Sequence, residues 1–237
     1  MRPFLIPLVA ACTPRAYTPP ARLAALDSPI APAAHGTDIQ ADLGRVGTMW
    51  GPELVSGGSR LRHAVTSAVV VEGEAGVMRV LNAGDGGSRN AYTGRGGIMV
   101  RSSGETGMCA ALSAGLGGGY SPVAGGWGSF DVGGALAGTH RWFRPVLAGD
   151  ASYNRPFGDT RFVVVESDGG TSTLHLTQNV SVRGTLEVEL GPTDRTLIVG
   201  MSVMRIEANS SGAIPEYDTS PDEVFVAIGG GFRATIE

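Results

Sequence analysis

The chain contains no lysine, few aromatic residues and no apolar run long enough to cross a membrane as a helix. All 18 basic residues are arginines, aromatic residues make up 6% of the sequence and charged residues 17%. The longest apolar run covers residues 4–11, whereas a transmembrane helix needs about 20 residues. This charge content is low for a soluble surface and too high for a bundle of membrane helices. A barrel of strands in which apolar and polar residues alternate is typical of such a composition.

The charge balance argues against a nucleic-acid partner. The 237 residues carry a net charge of −4, and the arginines form no basic cluster. The four histidines lack the spacing of a zinc site, so no metal is predicted. The glycine-rich stretch GLGGGY (115–120) lies inside a predicted strand and opens no helix, which excludes a nucleotide-binding loop. No cofactor is therefore predicted.

The N-terminus has the pattern of a bacterial export signal, and residues 1–11 are predicted to be a signal peptide. The small residues directly before Cys12 resemble the bacterial lipobox, and this resemblance implies that Cys12 is diacylated and becomes the new N-terminus. The alternatives are cleavage at a nearby site, with Cys12 unmodified, or a disulfide between Cys12 and Cys109 in an oxidising compartment. Residues 12–42, rich in Pro and Ala, are predicted to be a lipid-anchored tether. Residues 43–237 are then the folded domain.

Ten segments after the tether have the length and the alternation of β-strands. In residues 223–237 one face is apolar throughout, and the opposite face is small or charged. Several segments exceed the roughly 9–11 residues that a tilted transmembrane strand needs. The predicted fold is an all-β, antiparallel, up-and-down transmembrane β-barrel of about ten strands, with eight as the alternative. The predicted strands are 44–50, 59–66, 68–82, 92–102, 108–120, 127–142, 144–155, 177–190, 196–206 and 223–236.

One face of each strand is predicted to meet lipid and the other to line the lumen. In the segments 108–120, 127–142 and 177–190, one face carries no charge, and the other is small, polar or charged with both signs. A soluble barrel of the lipocalin type would place the large apolar residues inside, so a lipid-facing exterior and a polar interior are favoured. Opposite charges in one interior are expected to form ion pairs. The predicted lumen charge network consists of Glu72, Glu74, Arg95, Asp131, Asp150, Arg183, Glu187, Glu189 and Arg233.

Two sets of residues conflict with this assignment. Arg79 falls on the apolar face of its strand, where a charge at mid-membrane costs about 2–4 kcal/mol. It lies either near a membrane interface or beyond a bulge near Gly76 that shifts the alternation. Ile198, Met204 and Ile206 fall on the predicted lumen face. The assignment is therefore least regular in strands one to three and in strand nine.

The connections between the strands are predicted to alternate in length. Short connections, such as 102–107 and 191–195, alternate with the longer segments 121–126, 155–176 and 207–222. Outer-membrane barrels have tight periplasmic turns and long outer loops, so the alternation puts both termini on the periplasmic side. Aromatic residues near the strand ends are predicted to form the girdles at the two interfaces. These are Trp50, Tyr92, Tyr120, Trp127, Tyr153 and Phe225 on the outer side, and Trp142 and Phe143 on the inner side.

The lipobox-like start, the alternating strands and the segments GLGGGY (115–120) and GGALAGTHRWFRPVL (133–147) resemble small bacterial outer-membrane β-barrel proteins of the lipoprotein type, most of them uncharacterised. The resemblance covers about residues 43–237 and implies a place in the bacterial outer membrane, with the anchored N-terminus on the periplasmic side. It implies three partners, namely outer-membrane lipid, the barrel-assembly machinery and an unknown extracellular or periplasmic partner. The chain departs from such barrels at Ile236 and Glu237, because they often end in an aromatic residue.

The expected role is structural or surface-interacting, with a packed polar lumen and no enzymatic activity. The outer loops 155–176 and 207–222 are the expected contact surface. A narrow, porin-like pore for small solutes is the first alternative, because glycine and alanine leave space on the lumen face of two strands. A hydrolase at the outer rim is the second alternative, in which His175 pairs with Asp159 or Asp168.

Overall fold

The chain folds into a closed antiparallel barrel of ten strands. The computed structural model describes residues 28–30, 32–48, 54–80, 90–102, 107–121, 125–157, 161–165, 171–175, 178–208 and 222–236. The barrel strands follow one another in chain order, and the last strand pairs with the first. The prediction of an all-β, up-and-down barrel of about ten strands is confirmed.

Two short strands form an antiparallel hairpin that is separate from the barrel sheet. They pair with each other and lie, along the chain, between the seventh and the eighth barrel strand. The sequence predicts this segment, 155–176, as a loop. Strands of five residues were missed because they show too little alternation to recognise. No helix in the described part of the chain is long and apolar enough to cross a membrane. The strands are β1 Thr37–Thr48, β2 Leu54–Ala64, β3 Val69–Val80, β4 Asn90–Arg101, β5 Met108–Ser121, β6 Gly125–Gly138, β7 Phe143–Pro156, β8 Arg161–Val165, β9 Thr171–His175, β10 Asn179–Leu190, β11 Arg195–Ala208 and β12 Asp222–Ile236.

The first strand begins earlier than predicted. β1 starts at Thr37, inside the predicted tether 12–42, and pairs with β12 along its whole length. Its first lumen-facing residues are Asp38 and Gln40. β1 therefore begins six residues before the predicted domain start at 43, because polar residues at the start of a strand resemble a linker in the sequence. The predicted signal peptide and Cys12 lie outside the described residues.

Side chains alternate between the lumen and the outer surface along every barrel strand. Large apolar residues that point outward are strongly exposed, for example Leu112 at 73% and Leu116 at 69%. Charged residues that point inward are buried, for example Arg62 and Glu189 at 0%. The barrel is therefore apolar outside and polar inside, the reverse of a soluble protein.

The alternation continues without a bulge through the strands that looked irregular. β3 pairs residue for residue with β2 and β4, so Arg79 points outward, next to the last residue of its strand. The bulge near Gly76 is therefore wrong, and the position of Arg79 close to the end of β3 is compatible with the near-interface alternative. Ile198 and Ile206 do point into the lumen, where they are 0% and 2% exposed.

The connections alternate less strictly than predicted. We call the end of the barrel where β1 begins and β12 ends the terminus end, and the opposite end the loop end. The connection between β5 and β6 at the loop end covers only 122–124, because both strands extend further than their alternation showed. The prediction of a longer loop at 121–126 is therefore wrong. The terminus-end connections are 65–68, 102–107, 139–142 and 191–194.

Candidate functional site

The centre of the lumen holds an arginine with three acidic partners. We call Arg95, Glu72, Glu74 and Asp131 the central cluster. Arg95 donates to both carboxylate oxygens of Asp131, from Nε at 2.7 Å and from Nη2 at 2.6 Å. Its Nη1 donates to Glu72 Oε1 at 2.5 Å and to Glu74 Oε1 at 3.1 Å. The two-pronged contact fixes the orientation of Asp131 and links β4 to β6 across the intervening strand β5.

Two glycines make the room that the Arg95 guanidinium occupies. Gly97 on β4 and Gly115 on β5 are paired with each other and face the lumen. A Cβ at Gly115 would overlap the guanidinium, and a Cβ at Gly97 would lie 2.8 Å from Arg95 Nη1. Gly97 and Gly115 therefore accommodate the Arg95 side chain, and the space at these two positions is filled.

Further ion pairs surround the central cluster. Arg60 Nε lies 3.1 Å from Glu74 Oε1, so Glu74 has arginines on both sides. Arg183 contacts Asp150 Oδ2 from Nε at 2.7 Å and from Nη2 at 2.6 Å. All of these side chains are at least nine-tenths buried. Buried charges are expensive to bring out of water, so their close pairing is what makes this interior tolerable.

A second cluster lies at the terminus end of the lumen. Arg144 Nε and Arg233 Nη2 each donate to Glu189 Oε2 at 2.9 Å, and Arg233 Nη1 donates to Glu189 Oε1 at 2.8 Å. Arg144 Nη2 also donates to Thr196 Oγ1 at 2.9 Å. We call Arg144, Thr196, Glu189 and Arg233 the terminus-end cluster. It joins β7, β10, β11 and β12 through one buried carboxylate.

The segment before β1 is bound to the barrel by arginines. We call residues 28–36 the N-terminal segment; residues 28–30 and 32–36 of it are described. Arg62 donates to the carbonyl oxygens of Ser28 at 2.8 Å and Ile30 at 2.9 Å, and Arg233 donates to Ile30 O at 3.0 Å. Arg101 donates to Pro32 O at 2.7 Å. Ser28 is fully buried, so this part of the predicted tether is part of the barrel's core.

The loop-end half of the lumen has one polar wall and one apolar wall. On β6, β7 and β10, Asn154 links Ser129, Ser152 and Asn179 through hydrogen bonds of 2.7, 3.3 and 2.8 Å. On the opposite side, an apolar group packs into the lumen and contains Val46, Leu54, Met204, Ile206, Phe225 and Ala227. This wall explains why β11 carries apolar residues on both of its faces.

Two residues predicted for the outer aromatic girdle point inward instead. Trp127 is 2% exposed and Phe225 is 5% exposed. The prediction relied on closeness to a strand end, whereas the alternation of β6 puts Trp127 on the same face as Asp131. Tyr92, Tyr120 and Tyr153 do point outward at the loop end, and Trp142 and Phe143 are exposed at the terminus end. Trp50 lies outside the described residues.

The lumen contains small cavities. One of about 20 Å³ is bordered by Asp42, Arg60 and Glu74, and one of about 10 Å³ by Arg60 and Asp150. Each is comparable to the room that one water molecule needs. No group of three or more His, Cys, Asp or Glu side chains in the described ranges is arranged to hold a metal ion.

The structure places all nine residues of the predicted lumen charge network on lumen faces, but in separate groups. Glu72, Glu74, Arg95 and Asp131 form the central cluster, Asp150 pairs with Arg183, and Glu189 pairs with Arg233. Glu187 is 1% exposed and is the lumen-facing residue of β10 that comes directly before Glu189. For the hydrolase alternative, Asp159 and Asp168 lie outside the described residues.

Sequence reasoning missed the partners at the terminus end. Arg62 forms an ion pair with Asp38 at 2.7 Å, and Asp38 was assigned to the tether. The sequence did contain a signal, because Ile39, Ala41 and Leu43 extend the row of outward-facing apolar residues of β1 back almost to the start of the strand. The backbone carbonyls of the N-terminal segment left no signal, since a carbonyl acceptor is common to all residues.

The fold and its inverted polarity define a closed ten-stranded barrel of the outer-membrane type. No protein-family model matches the chain, and no curated protein matches it. Among solved structures, it is similar to Neisserial surface protein A, with 11% identity over 84% of this chain and 95% of that chain and a TM-score of 0.34. It is also similar to OprG from Pseudomonas aeruginosa, with 13% identity, 86% and 97% coverage and a TM-score of 0.39.

A third similar structure is the outer membrane protease OmpT from Escherichia coli, with 9% identity, 85% and 96% coverage and a TM-score of 0.43. At these identities the likeness concerns the fold alone.

Proposed function

We propose that this chain is a bacterial outer-membrane β-barrel with a closed lumen, and that it acts as a structural or surface-interaction protein and not as an enzyme. The observation that carries the proposal is the inverted polarity of the barrel, with exposed Leu112 outside and buried Arg95 inside. The loop-end connections, including the hairpin of β8 and β9, form the proposed contact surface for an extracellular partner.

The distribution of charge on the outer surface supports a membrane location. Every charged side chain that the described strands point outward lies within four residues of a strand end. Between these ends the outer surface is uncharged, as an apolar band of roughly 25 Å requires. The barrel strands of 11–15 residues are long enough to cross such a band at a tilt. The outward charged residues are Arg45, Arg79, Arg155, Arg205 and Glu207 at the loop end and Arg195 at the terminus end.

The packed side chains of the lumen favour a structural role and argue against a pore. The central cluster links lumen-facing side chains of β3, β4 and β6, and the terminus-end cluster and the N-terminal segment occupy the lumen at the terminus end. Gly115, one of the small residues that favoured a pore, is covered by the Arg95 guanidinium. A solute path would have to separate these buried ion pairs, and breaking one costs about 3–5 kcal/mol.

A depth-dependent pair of variants tests the membrane location. Leu186 lies outward in the middle of β10 at 54% exposure, and Leu190 lies outward at its end at 41%. In lipid, Leu186→Arg is expected to lower the free energy of unfolding by about 2–4 kcal/mol and Leu190→Arg by about 0–1 kcal/mol. Urea unfolding in lipid vesicles measures both. Equal effects, or a wild-type protein that is monomeric in water without detergent, would contradict a lipid-facing surface.

Planar-bilayer recording separates the closed barrel from the pore alternative. The folded protein, checked by its heat-modifiable gel mobility, is expected to give no stable single-channel steps. Steps that vanish when Gly115 is replaced by a bulky residue would overturn the closed-lumen proposal. The absence of steps is interpreted only for protein that has inserted into the bilayer, and the arginine variants test the membrane location separately.

Diacylation of Cys12 is proposed for the anchor of the N-terminus. The N-terminal segment enters the barrel at the terminus end, where β12 also ends, so an anchor there would sit on the periplasmic side of the membrane. The mature wild-type protein is expected to exceed the Cys12→Ser protein by the mass of the lipid. Mature proteins that differ only by the exchanged side chain would refute the anchor and leave the barrel proposal intact.

A further inference from the structure

We propose that the terminus end of the lumen is a binding site for an extended, proline-containing peptide, and that the chain occupies this site with its own N-terminal segment. The same site takes such a segment from a periplasmic protein when the chain's own segment is displaced. The identity of the partner rests on the proposed outer-membrane location, whereas the peptide class rests on the contacts alone. The structural role proposed above does not require such a site.

Arginines at this end bind every second carbonyl of the N-terminal segment. The carbonyl oxygens of Ser28, Ile30 and Pro32 accept hydrogen bonds of 2.7 to 3.0 Å from guanidinium groups. Alternate carbonyls lie on one side of an extended chain, so these bonds recognise an extended backbone and not particular side chains. The donors are Arg62 for the first carbonyl, Arg62 and Arg233 for the second, and Arg101 for the third.

The composition of the segment matches a site that offers only donors. A guanidinium has five N–H donors and no acceptor. Pro29 and Pro32, both buried, have no backbone N–H, and the N–H of Ile30 donates to Ser28 Oγ within the segment at 3.1 Å. The segment therefore brings carbonyls that the barrel satisfies and few N–H groups that need an acceptor. Proline also favours an extended backbone in the residue before it. An extended peptide with the spacing Pro-x-x-Pro is the ligand that this chemistry selects.

The barrel itself holds the two most buried arginines in position. Arg62 makes a two-pronged pair with Asp38, through Nε at 2.9 Å and Nη2 at 2.7 Å. Arg233 makes the same kind of pair with Glu189, through Nη1 at 2.8 Å and Nη2 at 2.9 Å. These carboxylates orient the guanidinium groups independently of the N-terminal segment. Donors that are already oriented lower the cost of binding a peptide, so the site can exchange one segment for another.

The link between the bound residues and β1 lies at the surface. Ala33, Ala34 and His35 are exposed, in contrast to the buried Ser28. The backbone bond from His35 N to Ala64 O, at 2.7 Å, attaches the chain to β2 just before β1 begins. A cut between Ala33 and Ala34 therefore separates the bound residues from the barrel without removing a buried side chain.

A cleavable form of the full chain tests the proposal. A protease recognition sequence is inserted between Ala33 and Ala34, and the protein is folded in detergent and then cut. Heat-modifiable mobility reports whether the barrel stays folded, and mass spectrometry after washing reports whether the fragment before the cut has left. The probe is a fluorescent peptide with the sequence of residues 27–34, DSPIAPAA, and its binding is followed by fluorescence anisotropy. The control peptide carries alanine in place of both prolines.

The cut and washed protein is expected to bind the peptide saturably, as is its Arg195→Gln form, in which an exposed arginine of the same end is changed. The uncut protein is expected not to bind, because its own segment fills the site. Affinity is expected to fall at least about tenfold in Arg62→Gln and for the control peptide. The control peptide keeps the test decisive if Arg62→Gln does not fold.

Four outcomes overturn the proposal. If the barrel loses its folded mobility on cutting, or if the fragment cannot be washed from the folded barrel, the segment is not an exchangeable ligand. If the cut protein binds no peptide, or if Arg62→Gln and the control peptide bind as well as the original pair, the arginines do not form a site for an extended, proline-containing peptide. The assay is done in detergent, so its failure leaves the membrane location untouched, which the Leu186 and Leu190 variants test.

Discussion

Replacement of Arg95 by methionine is expected to be the most damaging single change in the lumen. The change removes four hydrogen bonds and leaves Asp131 and Glu72 buried without this arginine, while Glu74 keeps Arg60. Breaking a buried ion pair by removing one partner costs about 3–5 kcal/mol. At about 1.4 kcal/mol per factor of ten, the folding equilibrium should fall by roughly 10² to 10³·⁵.

Reversible urea unfolding in lipid vesicles, followed by tryptophan fluorescence, measures this loss. The slope of the free energy against urea should stay unchanged, because the surface exposed on unfolding is the same. Arg205→Met is the matched control. Its pair with Glu207 is about half exposed, so the expected loss is about 0–1 kcal/mol.

A neutralised variant decides whether charge is the cause. In Arg95→Met/Glu72→Gln/Asp131→Asn the carboxylates that lost their partner are uncharged, so most of the lost free energy should return. A loss below about 1 kcal/mol in Arg95→Met would refute the reasoning. A neutralised variant that is no more stable than the single one would refute it as well.

Three further outcomes are expected. Gly115→Ala should cost about 1–3 kcal/mol of unfolding free energy, because its Cβ meets the Arg95 guanidinium. Gly184→Ala, whose Cβ would have nothing within 4 Å, should cost nothing measurable, and equal losses in the two variants would contradict the packing. Arg62→Gln should speed hydrogen exchange in the N-terminal segment and leave the barrel strands unchanged, as measured by mass spectrometry; unchanged exchange would argue against its role there. In single-tryptophan variants, brominated lipids should quench Trp142 and spare the buried Trp127, and the opposite order would reverse the faces.

The barrel could be predicted because its strands are long and strictly alternating. β10 shows Val180, Val182 and Leu186 on one side and Ser181, Arg183 and Glu187 on the other. Alternation of an uncharged, apolar face with a polar face over such a length is the pattern of a transmembrane strand. The same alternation, with a period of two residues, also predicted that the charged residues point inward. The strand ends at this connection were less predictable, because glycines lie close to the end of β5 and at the start of β6, and glycines fit a turn as well as a strand.

The partners inside the lumen could not be predicted from the sequence. Arg95 and Asp131 are 36 residues apart, and only the register of three neighbouring strands brings them together. Trp127 was assigned to the outer surface because it lies near a strand end, although the alternation of β6 puts its side chain on the lumen face. The N-terminal segment was taken for a linker because its contacts use backbone carbonyls, which no composition reveals.

The contact between Arg233 and the Ile30 carbonyl has a consequence for the order of assembly. It joins residues 203 positions apart, and Arg233 reaches its place only when β12 has paired with β11 and β1. Glu189 and Arg144 on β10 and β7 must be in place as well. The contact of the N-terminal segment with Arg233 therefore forms only after β12 has closed the ring, whereas its contacts with Arg62 and Arg101 need only β2 and β4. Full protection of this segment from a protease would then report a completed barrel, and an intermediate that lacks β12 would leave it more accessible.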